Sequence, residues 1–128
     1  MNLKLWEIVS LHEELNGGKT IKKGLIAQKM PMKLKIFLHR ISKMTAEENK
    51  TYEEQKLELY KKHGEQTKDT IVVKQENSLE FNKELFEMLD AEKEIDVKPF
   101  WGESNIVELI EQVETEEYYP VLYKLIGI

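Results

Sequence analysis

The stretch from Met30 to His63 constrains this chain more than any other, because it reads as one amphipathic helix with its own start and stop. Pro31 suits a first helical turn, where a missing N–H costs nothing, and Gly64 follows as a terminator. Leu34, Phe37, Leu38, Ile41 and Met44 recur at helical spacing and form an apolar stripe on the first half. Beyond Thr45 the stripe thins to Tyr52, Leu57, Leu59 and Tyr60, while Glu and Lys fill the other faces. Unbroken, such a helix spans roughly 50 Å at 1.5 Å per residue, longer than a compact domain of 128 residues is wide. Part of it therefore projects or needs a partner. Thr45-Ala46-Glu47-Glu48 also resembles a capping box, which leaves open a helical hairpin broken at Met44.

The charges divide near the same place. Residues 1–43 hold nine Lys/Arg against three Glu, a local +6; the remainder holds ten against twenty-one, a local −11. No acid lies between Leu15 and Ala46, where Lys19, Lys22, Lys23, Lys29, Lys33, Lys35, Arg40 and Lys43 all fall. Such polarity can serve nucleic acid, an acidic protein partner, or self-association of positive on negative surfaces. Its plain alternative is intramolecular, the basic half lying beside the acidic half. Lys29, Lys33 and Arg40 fall on nearly one line beside the apolar stripe, since residues four and seven apart share a helix face. Together with Lys43, Tyr118 and Tyr119 they are the candidate partner-binding residues. Segment 19–43 has the charge for weak, sequence-independent nucleic-acid contact, yet its aromatic, Phe37, lies on the apolar stripe. A single Arg among seven Lys leaves little for readout of base edges.

Around the long helix the elements are short. Leu3 to Asn16 reads as a helix, stopped by Gly17-Gly18, with Trp6 beside its stripe as a core anchor. Leu25, Ile26 and Ala27 suggest a short turn or helix. Thr70 to Lys74 and Glu94 to Lys98 read as strands that can pair, the second ended by Pro99. Between them Asn77 or Ser78 caps a helix to about Leu89, apolar on two sides and so expected to be covered on two sides. Phe100-Trp101-Gly102 is an aromatic turn, Ser104 caps a helix carrying Ile106 to Val113, and the apolar end, Tyr118 to Ile128, is expected to dock in the core. The expected fold is one domain over residues 1–128, α+β but mainly α, with a small two-stranded sheet and short flanking helices.

Chemistry has few footholds. With no cysteine there is no disulfide, thiolate site or cysteine nucleophile. His12, His39 and His63 lie far apart in sequence, without acidic or histidine partners at metal spacing, and His63 suits the end of a helix dipole. Carboxylates come as runs (Glu47-Glu48, Glu53-Glu54, Glu116-Glu117) typical of solvated faces, not of a catalytic pair split by an apolar pocket. Gly17-Gly18-Lys19-Thr20 evokes a phosphate loop, but position 13 is Glu where that pattern needs Gly, and a helix precedes it in place of a strand. No apolar run approaches the ~18 residues of a membrane span. These readings lead to the expectation of a chain that is not an enzyme and that takes no cofactor and no metal.

One likeness is visible. A short helix, then Gln28-Lys29-Met30-Pro31-Met32-Lys33-Leu34 opening a long charged helix, resembles a family of small, functionally uncharacterised bacteriophage proteins. The likeness continues through Lys61-Lys62-His63-Gly64-Glu65, Phe81-Asn82-Lys83-Glu84-Leu85 and Glu94-Ile95-Asp96-Val97, over residues 1–98 in layout. The resemblance implies a phage-encoded helical protein with a strand pair and brings no catalytic residues with it. The expectation is therefore a non-enzymatic interaction protein, a minor virion or assembly component or a modulator of a host protein. It would act as a homo-oligomer or on another phage or host protein, away from membranes, in the host cytoplasm or the virion. The alternative is a nucleic-acid-associated accessory protein using segment 19–43.

Overall fold

In a computed structural model, which describes residues 1–18, 21–97, 105–115 and 117–127, the chain opens on a strand, β1 (Asn2–Lys4), and passes directly into helix α1 (Leu5–Asn16). The first two residues of the expected helix, Leu3 and Lys4, are thus strand, because the backbone there is claimed from outside: they pair with Lys93 and Glu92, and the Leu5 N–H donates to Ala91 O at 2.8 Å. The Glu7 carboxylate meanwhile accepts the Lys4 N–H at 3.1 Å and closes the start of α1. Gly17 ends α1 at φ +85°, its N–H reaching Glu13 O at 2.7 Å, as the glycine pair suggested. A short 3-10 turn, Leu25–Ala27, then brings the chain back against α1. Gly24 permits this, since a Cβ there would collide with the backbone at Leu15 O.

Helix α2 (Met32–His63) is continuous and ends at Gly64. Thr45 does not restart it. That residue is fully buried, and its hydroxyl donates to Ser42 O within the helix and lies 3.0 Å from the His12 Nδ1 of α1. Asn16 and Ser42 extend this lateral polar seam between the two helices. The side chain that would have capped a new helix is therefore spent on joining α1 to α2.

The strands pair differently from expectation. β2 (Gly64–Gln66) and β3 (Ile71–Val73) form a local antiparallel hairpin, closed where the Thr67 N–H donates to Thr70 O at 2.7 Å. Helix α3 (Gln75–Leu89) then runs back along the second half of α2, and delivers β4 (Glu92–Glu94) antiparallel to β1, with Leu3 opposite Lys93. The first expected strand is β3, which pairs with β2; the second, read at Glu94 to Lys98, lies earlier, at Glu92–Glu94, sharing only Glu94 with the expectation, so the two never meet. α3 begins at Gln75, ahead of Asn77 and Ser78, and Asn77 instead donates from Nδ2 to His63 O at 3.2 Å. Two short helices follow, α4 (Ile106–Glu111), capped by Asn105, whose Oδ1 accepts the Glu108 N–H, and α5 (Pro120–Ile126). The expected residues Lys19, Lys98, Pro99, the turn Phe100 to Gly102, Ser104 and Ile128 lie outside the described residues.

The core sits at one end. Ile8, Leu11 and Leu15 of α1 meet Leu34, Phe37, Leu38 and Ile41 of α2, and α4 and α5 close it with Ile106, Leu122 and Leu125. The apolar C-terminus is docked, with Tyr119 fully buried at its entry. From residue 53 to residue 94, by contrast, Phe81 is the sole buried residue, its ring 4.9 Å from that of Tyr60. The architecture is mainly-α α+β, a packed head with a slender arm made of the end of α2, the hairpin and α3.

Candidate functional site

Three features carry chemistry or surface that the fold alone does not explain. The first is a pair of acids on α1, Glu7 and Glu14, seven residues apart and both buried. Glu14 accepts the backbone N–H groups of Val121 at 3.1 Å and Leu122 at 3.0 Å, so its carboxylate caps the start of α5 just after Pro120. Glu7 accepts from Lys124 Nζ at 2.7 Å, in the last turn of the same helix. α5 is thus held at both ends from one face of α1. Burial pushes the Glu14 carboxyl above its ordinary 4.5, against the pull of the two N–H groups. Burial pushes Glu7 the same way, but the Lys124 ammonium and the Lys4 N–H outweigh it and hold that carboxyl below 4.5. Lys124→Met should raise the Glu7 pKa in a pH titration followed by carbon NMR. It should cost only about 0.5–1 kcal/mol, because the lysine is half exposed.

The second feature is an apolar groove of about 610 Å³ lined by Trp6, Lys83, Phe86, Glu87, Leu89 and Asp90. Trp6, expected as a core anchor, is 48% exposed here, for it lies off the line of Ile8, Leu11 and Leu15. α3 was expected to be covered on both sides; Phe81 is covered, while Phe86 at 65% and Leu79 at 77% stand in water. The arm has no third layer to place against them. Lys4 crosses the rim of this groove to Asp90 at 2.6 Å, which raises the lysine pKa through that hydrogen bond and charge.

The third is the outward face of the first half of α2, where Lys33, Arg40 and Lys43 are exposed with Met32 and Ile36 among them, and Lys29 is exposed just before the helix begins. The intramolecular explanation of the charge polarity finds little support. Of the cations in residues 1–43, Lys4 pairs with Asp90, whereas Lys22, Lys23, Lys29, Lys33, Lys35 and Lys43 make no ion pair among the described residues. Tyr118 is exposed, but Tyr119 is not a surface residue. Its hydroxyl donates to Lys23 O at 3.2 Å and lies 3.3 Å from Thr115 Oγ1, so it locks the core. The candidate partner-binding residues therefore separate: Lys33, Arg40 and Lys43 share one face of α2, Lys29 lies in the extended segment before the helix and off the expected line, and the tyrosines belong to the C-terminal region.

The histidines are structural in their contacts. His12 sits in the polar seam with Thr45, burial lowering its pKa; His63 pairs with Glu84 and packs edge-on to Phe81. Among the described residues no group of three His, Asp or Glu side chains could hold a metal ion, and no helix is long and apolar enough to cross a membrane. Sequence reasoning missed Glu7, Glu14 and the groove. For the acids a signal existed: both fall at heptad spacing on the face that also carries Leu11. No family model, curated protein or solved structure matches the chain.

Proposed function

We propose that this chain is a non-enzymatic interaction protein of the phage type its sequence resembles, a minor virion or assembly component or a modulator of a host protein, acting as an oligomer in the host cytoplasm or the virion. The observation that carries this reading is the pair of large aromatic side chains, Trp6 and Phe86, left in water where they line one groove, with the exposed Leu79 two turns before Phe86 on α3. A contiguous exposed patch of this kind marks a binding surface, and a Trp beside a Phe is the composition of an interface hot spot. The nucleic-acid alternative has less behind it: Phe37, the aromatic of the basic segment, is buried and offers no stacking platform.

The test combines light scattering of the purified protein with affinity capture from infected cells, on the wild type and on Trp6→Ala with Phe86→Ala. The expected result is a multimer or a defined partner, lost in the double variant while the far-UV CD spectrum stays unchanged. A strict monomer that captures nothing would sink the reading, and a gel shift at low salt would transfer it to the alternative.

A further inference from the structure

We propose that the partner is a second copy of this chain, joined head to tail, with the outer face of α3 on one molecule packed on the outer face of the first half of α2 on the next. This rests on the interaction-protein reading and names its partner. The two faces are complementary in charge. On α3 the exposed Leu79 and Phe86 are bordered by Glu76, Glu80 and Glu87, none of which makes an ion pair among the described residues, with Lys83 as the one cation in their row. On α2 the exposed Met32 and Ile36 are bordered by Lys33 and Lys43, likewise without ion pairs among the described residues. No acid lies on that half of α2 before Glu47.

The rows also match in length. Glu76 to Glu87 covers about 16 Å and Lys33 to Lys43 about 15 Å at 1.5 Å per residue. Each row has an apolar pair between or beside its charges, so desolvated contact and charge pairing fall together. Neither face suits its own copy: α3 on α3 sets three acids against three with only Lys83 to offset them, and α2 on α2 sets lysines against lysines. The contact is therefore between unlike surfaces, and repeated head to tail it builds rings or open chains of subunits.

Sedimentation velocity of the full chain over a concentration series tests this, at about 0.05 M and about 0.5 M salt. The wild type is expected to associate at low salt and to lose most of that association at high salt. Lys33→Glu with Lys43→Glu makes both faces acidic, and Glu80→Lys with Glu87→Lys makes both basic. Each double variant should weaken association by about tenfold or more, with helical CD retained, and an equimolar mixture of the two should regain it. A wild type that stays monomeric, an oligomer untouched by both reversals, or a mixture that gains nothing overturns the proposal. The interaction reading fails separately, on the capture experiment with Trp6→Ala and Phe86→Ala.

Discussion

Phe37→Ala should lower the stability of this protein by about 3–5 kcal/mol, seen as a fall in urea midpoint with little change in slope. The ring is 1% exposed and belongs to a core assembled from α1, α2, α4 and α5. A cavity there cannot collapse cheaply, because its walls are fixed from several directions: by the polar seam at Thr45, by the two carboxylates that hold α5, and by the hydroxyl of Tyr119. Against a typical total of about 5–15 kcal/mol the loss is severe. Leu57→Ala, on the same helix but in water, serves as the control and should change stability by no more than about 0.5 kcal/mol. Equal effects at the two positions would mean that the two halves of α2 are not distinct.

The second large effect belongs to Glu14. Glu14→Ala removes the acceptor of two buried N–H groups, each costing about 1–3 kcal/mol when unsatisfied, and relieves a buried charge in return. The expected net loss is about 2–4 kcal/mol. Glu14→Gln keeps one acceptor and removes the charge, so it should cost less. The pH dependence has a definite sign. Since the folded carboxyl titrates above its ordinary 4.5, the folded state binds that proton more tightly, and the contribution is fully present below 4.5 and lost as pH rises through the raised value. In that window the wild type should decline relative to Glu14→Gln, measured by urea melts at a series of pH values. Glu7 acts oppositely: its depressed carboxyl contributes stability above 4.5 that is lost as the pH falls through its lowered value. The difference between wild type and Glu14→Gln isolates one acid from the other.

Much of the frame was legible in the residues, and what was not has identifiable causes. α2 could be read because Pro31, Gly64 and a five-residue stripe agree with one another, and the docked C-terminus because nearly every other residue from Tyr118 onward is apolar. The strand pairing could not be read, because three-residue strands hold no pattern and meet only where the helices carry them. Trp6 and Phe86 were misplaced for a common reason: an apolar side chain beside a stripe looks like core until the number of layers is known. The basic face was visible from charge alone, while its counterpart on α3 needed the exposed Leu79 and Phe86 to become a surface. Glu7 and Glu14 were hidden by the habit of reading acids as solvated: Glu14, beside Glu13, looks like the other two-residue acidic runs, whereas Glu7 stands alone.

The slender arm has a consequence for how the molecule comes apart. The long helix is a single piece of backbone but two pieces thermodynamically. Its first half is tied to a core that unfolds only with everything else, whereas residues 53–89 bury a single side chain, Phe81, against Tyr60 and His63, and rejoin the head through β4 on β1 and the Lys4–Asp90 pair. A segment so lightly held opens at a fraction of the global free energy. The head therefore keeps its shape while the arm samples looser arrangements, and whatever binds the outer face of α3 has to settle the arm as well as touch it. Binding there acts as a second source of folding free energy, supplied from outside the chain.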